Sequence, residues 1–137
     1  MNDNPQASAK NNVLPRALFA VTLFAEDLEQ TKEFYQKIFG PVIDYEDANS
    51  AVFKFGDTMI NLLRITQANE LIEPAKVADR ASGSRFVFTI GVEDVDAMCA
   101  KLESRGVKLL NGPMDRPWGI RTASFMDPAG YIWEIAK

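Results

Sequence analysis

The sequence predicts an α+β chain built from two tandem βαβββ modules, and three observations carry that reading. A strand, a Glu-Asp pair, a helix and a glycine occur twice in the same order, with Glu26-Asp27 and Gly40 in one copy and Glu93-Asp94 and Gly106 in the other. The offset is 67 residues for the acidic pair and 66 for the glycine, so the second helix is one residue shorter. Each copy then ends in short apolar runs joined by turn residues, Phe55-Gly-Asp-Thr58 in the first and Asp127-Pro-Ala-Gly130 in the second. The length, 137 residues, is that of one compact domain, large enough to bury a core without a disulfide or a metal.

Residues 1–16 are rich in Asn, Ala and Pro and lack a hydrophobic period, which predicts a flexible tail. Module one occupies 17–65. Ala17–Phe24 reads as a strand, Asp27 as a helix N-cap, and Leu28–Phe39 as a helix whose Phe34, Tyr35, Ile38 and Phe39 form an apolar stripe against a sheet. Gly40-Pro41 stops that helix. Strands follow near Val42–Tyr45, Ala51–Phe55 and Met59–Arg64. The linker, 66–84, is polar, with a short helix expected at Ala68–Glu73; a segment this long is expected to pack over an edge of the site. Module two, 85–137, repeats the pattern: a strand at Phe86–Val92, a helix running to about Gly106, and strands near Val107–Leu110, Arg121–Met126 and Tyr131–Ala136.

Composition excludes several functions. The chain contains no histidine, so Ser-His and Cys-His catalysis are impossible within it. The single cysteine, Cys99, lies in a helical apolar stripe and reads as a buried structural thiol. Net charge is −4 with no basic stripe, which argues against nucleic acid and weakly favours cationic ligands. No apolar run approaches the ~20 residues of a membrane span, and the N-terminus lacks the apolar core of a signal peptide; a cytoplasmic protein is expected.

The pieces Glu26-Asp-Leu28, Phe34-Tyr35, Phe39-Gly40 and Arg121-Thr-Ala-Ser-Phe-Met-Asp-Pro-Ala-Gly-Tyr-Ile-Trp-Glu134 resemble the vicinal oxygen chelate superfamily of glyoxalases, bleomycin resistance proteins and dioxygenases. The resemblance implies two modules curled into a cleft lined by eight strands, and a homodimer. It also implies metal ligands on the first and last strand of each module. Carried over by position, those fall on Ala20, Asn61, Val87 and Glu134. Ala and Val offer no donor, an Asn carbonyl is a poor ligand, and one carboxylate is far from the four to six donors a divalent ion takes. No metal and no other cofactor is therefore expected.

If Ala20 faces the cleft, strand alternation adds Thr22, and Val87 adds Thr89. A hairpin at Asp127–Gly130 with Glu134 opposite Ala123 would bring Arg121 diagonally beside Glu134 as an ion pair or polar anchor. Trp118 stands in a loop suited to stacking on a flat ligand, and Trp133 should point to the helix side or a subunit interface. Glu134 is the only candidate catalytic group. The leading expectation is a metal-independent binder of a planar or cationic small molecule, resembling the bleomycin-resistance branch. The alternatives are a lyase, isomerase or dioxygenase with an atypical site, and a non-catalytic interaction module.

Overall fold

A computed structural model describes residues 14–137; most of the expected tail, residues 1–13, lies outside the described residues. The first module contains β1 (Ala20–Ala25), α1 (Leu28–Phe39), β2 (Ile43–Glu46), β3 (Ser50–Phe55) and β4 (Thr58–Arg64). A one-turn helix, α2 (Asn69–Ile72), falls in the linker. The second module contains β5 (Phe88–Gly91), α3 (Val95–Ser104), β6 (Leu109–Asp115), β7 (Arg121–Met126) and β8 (Ile132–Ala136). Each module forms its own four-stranded sheet, ordered β1-β4-β3-β2 and β5-β8-β7-β6. The first strand runs parallel to the last in both, because the helix crosses over between them. This is the tandem βαβββ architecture that the repeat predicts.

The helices start where short acidic side chains can satisfy orphan N–H groups. Asp27 Oδ1 accepts from Gln30 N at 3.0 Å, and Asp94 Oδ1 accepts from Ala97 N at 3.0 Å. Helix α1 ends at Gly40, whose φ of 64° lets its N–H turn back to the Gln36 carbonyl.

The two modules share one core through their helix-facing sides. Tyr35 of α1 packs against Phe53 of β3 and Trp133 of β8, with ring centroids 5.7 and 5.8 Å apart. Phe55 meets Trp133 at 5.5 Å. Polar groups at this seam are all satisfied: Trp133 Nε1 donates to the Tyr35 hydroxyl at 2.9 Å, and Tyr35 donates in turn to Asp127 Oδ2. Asp127 Oδ1 accepts from the backbone of Ala129 and Tyr131, so one carboxylate orders the turn and joins it to the other module. Tyr131 adds a second tie, with its hydroxyl bridging the N–H and C=O of Phe24 on the open edge of β1. Cys99 is buried, and burial pushes its thiol upward, as a structural cysteine requires.

Strand β6 runs further than the expected Val107–Leu110. Asn111-Gly-Pro113 reads as a turn in sequence, but β6 is an edge strand and absorbs Gly112 and Pro113 in register shifts against β7. Gly112 has φ 83°, and a Cβ there would lie 2.5 Å from the Thr122 carbonyl oxygen. Only glycine fits at that approach.

Candidate functional site

Strand alternation divides each sheet into a buried helix-facing side and an opposite, more open side. On the open side of module one, a cross-strand row runs Thr22, Asn61, Val52, Tyr45 over β1, β4, β3 and β2. The corresponding row in module two runs Thr89, Glu134, Ser124, Asn111 over β5, β8, β7 and β6. Thr22 and Thr89 therefore occupy equivalent places, as do Asn61 and Glu134. Each pair is hydrogen-bonded: Asn61 Nδ2 donates to Thr22 Oγ1 at 3.4 Å, and Thr89 Oγ1 donates to Glu134 Oε1 at 3.0 Å. Asn61 Oδ1 is buried without a hydrogen-bond partner among the described residues.

The first-strand ligand positions carry no donor side chain: Ala20 is exposed beside Met59 on β4, and Val87 is 49% exposed just before β5. The four positions together supply one carboxylate, already engaged by Thr89, and one amide. Among the described residues, no three His, Cys, Asp or Glu side chains gather as a metal would need. This donor set does not fit a divalent ion.

Arg121 requires a correction. Glu134 pairs with Ser124, and Ala123 pairs with Ile135, one residue away from the expected register. The cause is the turn. Asp127–Gly130 closes with Gly130 N donating to the Asp127 carbonyl, and Gly130 then adopts φ 98°, inserting an extra residue before β8. A type I turn followed by a left-handed glycine forms a three-residue hairpin with a bulge, which shifts the pairing by one. A slip of one residue exchanges the two faces of a strand. Arg121 thus lies on the helix side, where it pairs with Asp96 at 2.9 Å and Asp115 at 3.0 Å and is no partner of Glu134.

A cation on the open side of module two is Arg116, which the sequence reading missed. Its Nε donates to Thr122 Oγ1 at 2.8 Å and its Nη2 to Asn111 Oδ1 at 3.2 Å. The turn presenting it is closed by Arg116 N to the Ile120 carbonyl and Gly119 N to the Arg116 carbonyl. Trp118 stands on this turn, 68% exposed, with the Arg116 guanidinium 5.9 Å from its ring centre. The signal available in sequence was the hairpin Asp115–Arg121 itself, in which Arg116 lies two residues from Trp118 and Arg121 three. Trp133, by contrast, is 2% exposed in the shared core, on the helix side.

No strand pairing joins the two sheets, and no hydrogen bond links Thr22 or Asn61 to Thr89 or Glu134. The modules meet through the shared core, and at one end of the molecule the linker ties them together. There Arg80 N donates to Glu26, Arg80 Nε to the Pro128 carbonyl, and Ser84 to the Gly130 carbonyl. A cavity of about 230 Å³ lies beneath, lined by Phe24, Ile65, Arg85, Phe86 and Tyr131 among others. None of the described helices is long and apolar enough to cross a membrane.

Comparison with known proteins agrees with this architecture. The sequence model of the Glyoxalase/Bleomycin resistance protein/Dioxygenase superfamily matches residues 17–135. A relative from Bacillus subtilis (strain 168), the uncharacterized protein YraH, is 36% identical over 124 residues, covering 88% of this chain and 97% of its own length. A solved glyoxalase/bleomycin resistance protein/dioxygenase from Nocardioides superposes with a TM-score of 0.79 at 23% identity, over 99% of this chain and 92% of that one. A lactoylglutathione lyase from Agrobacterium tumefaciens does so with a TM-score of 0.72 at 22% identity, over 90% and 94%.

Proposed function

We propose that this chain, which belongs to the glyoxalase/bleomycin resistance protein/dioxygenase superfamily, is a metal-independent small-molecule binding protein resembling the bleomycin-resistance branch. One observation carries the reading: Ala20 and Val87 stand where metal ligands belong, while Glu134 is bonded to Thr89 within a neutral polar row. A wall of apolar and hydroxyl groups with a few fixed polar anchors suits binding of a flat ligand, with Trp118 at the rim. The test is metal analysis of protein purified after exposure to Mn, Fe, Ni and Zn. Substoichiometric metal is expected, and one metal per chain would sink the reading.

The reading includes a second copy of the chain. Because the modules share their helix-facing sides, each open row lacks an opposite wall, and the outer edges of β1 and β5 carry no neighbouring strand. Leu18 and Phe19 beside β1, and Phe86 and Val87 beside β5, are exposed apolar side chains at those edges. A dimer that sets module one of one copy against module two of the other closes both clefts. Native mass spectrometry should show a dimer that Phe19→Glu converts to monomer; a monomeric wild type contradicts this assembly.

A second reading, an enzyme using Glu134 as base, draws support from the corrected register. The expected ion pair with Arg121 is not formed, and the described partner of Glu134 is the Thr89 hydroxyl. If Glu134→Gln abolishes a turnover that Trp118→Ala spares, the enzyme reading replaces the binder.

A further inference from the structure

Two arginines are hydrogen-bonded onto the open side of module two, Arg80 from the linker through Met126 Sδ and Arg116 from the hairpin, and Arg116 is the one that stands beside an exposed indole. Its described partners, Thr122 and Asn111, are neutral, and it forms no salt bridge with a described residue. The contrast with Arg121, two carboxylates deep in ion pairs on the other face, is direct. An arginine anchored through Nε and one Nη by neutral acceptors keeps its full charge, with donor capacity left on the second Nη. The closed turn fixes its backbone, so little rotamer freedom remains to be lost when an anion arrives.

We infer that Arg116 is the anion-recognition residue of the site, and that the ligand is a planar carboxylate which stacks on Trp118 and gives a hydrogen bond to Glu134. The inference rests on the small-molecule binding reading and replaces the cationic ligand that net charge alone suggests. Three features converge. The guanidinium offers charge-assisted hydrogen bonds to a carboxylate, which are shorter and stronger than neutral ones. The exposed indole beside it, on the same turn, offers a flat apolar surface. At the far end of the row, Glu134 uses Oε1 for Thr89 and has a second oxygen to accept a hydroxyl or amine proton. Asn111 and Glu134 lie two strands apart on this face, ~10 Å between backbones, with Ser124 of β7 between them. The local charge pattern is therefore positive at the Trp118 end and negative at the Thr89 end. A ligand with an acid at one end and a donor at the other matches both.

Isothermal titration calorimetry with 4-hydroxybenzoate, 4-hydroxybenzamide and tyramine tests this on the intact protein. These probes share the ring and the hydroxyl and differ in the charge at the opposite end. The wild type should prefer the acid over the amide by about tenfold or more, the worth of a charged hydrogen bond, and tyramine should bind weakest. Arg116→Gln should bring acid and amide within about twofold, and Arg116→Lys, which keeps the charge but loses the planar fork, should fall between. Circular dichroism checks that each variant is folded, and the Lys variant reads the trend if the Gln variant is not. Equal binding of acid and amide, tighter binding of tyramine, or an acid preference that survives in a folded Arg116→Gln protein overturns the inference while leaving the binding reading intact. Failure of all three probes to bind also overturns the inference, whereas the binding reading falls only on one metal per chain in the metal analysis.

Discussion

The two modules repeat one topology and differ in chemistry. At equivalent positions, module one presents Thr22, Asn61, Val52 and Tyr45, and module two presents Thr89, Glu134, Ser124 and Asn111. The first row holds one amide and two hydroxyls around a valine. The second holds a carboxylate among neutral hydrogen-bonding groups, with an arginine laid over it from the hairpin. The backbone ladder sets where each side chain points, and the residue identity decides what it can do there. The duplication therefore supplied two rows of like topology, of which module two carries the charged groups and module one only neutral ones.

The largest test of that comparison concerns what joins the modules. Trp133 fills the seam between Tyr35, Phe39 and Phe55 of module one and Phe88 of module two. Trp133→Ala should cost about 3–5 kcal/mol of stability in urea unfolding, with both modules unfolding in a single transition. A loss under ~1 kcal/mol, or two separate transitions, would mean the seam is not a common core.

At the helix starts the modules should behave alike. Asp27→Ala and Asp94→Ala each remove one cap bond and should each cost about 1 kcal/mol. Thermal melting of the pair checks this, and a cap that matters in one module alone would show that the copies have diverged in local folding as well.

The seam also has a pH signature. Burial pushes the Asp127 carboxyl above the ordinary carboxylate range, with hydrogen bonds from Tyr35, Tyr131 and Ala129 pulling the other way. A folded value above the unfolded one gives stability that is complete below about pH 4 and is lost as pH rises through the folded value. Relative to Asp127→Asn, the wild type should therefore lose stability as pH rises above about 4. A difference that grows in the wild type's favour over that range would reverse the assigned sign.

The smallest expected effect is at Arg121. Its ion pairs lie on the helix side, so Arg121→Ala should leave ligand affinity unchanged, whereas Arg116→Gln should alter selectivity. Equal loss of binding in both variants would put Arg121 back at the site.

Much of the fold was legible in the sequence because its signals are local. Asp27 and Asp94 cap helices with their own side chains, Gly40 takes the left-handed conformation that stops α1, and Phe55-Gly-Asp-Thr58 closes a two-residue hairpin with Phe55 opposite Thr58. The offset of 67 residues carried Thr22 onto Thr89, and counting four residues past each hairpin turn carried Asn61 onto Glu134, an equivalence that the parallel ladders reproduce. The extension of β6 past Leu110 escaped the sequence because an edge strand tolerates Gly112-Pro113, which a central strand would not.

The site divides along the same line. The sequence by itself determined which donors exist: no histidine anywhere, Ala20 and Val87 at first-strand positions, and one carboxylate on the last strand. The tertiary structure decided which of those groups meet. The single residue that Gly130 adds to the hairpin moved Arg121 to the helix side and set Ser124 beside Glu134, and the turn at Arg116–Gly119 brought Arg116 over Thr122. Side-chain facing in a strand has a period of two, so one residue of register inverts it. Composition is blind to that inversion, and only the closed ladder with its turn fixes it.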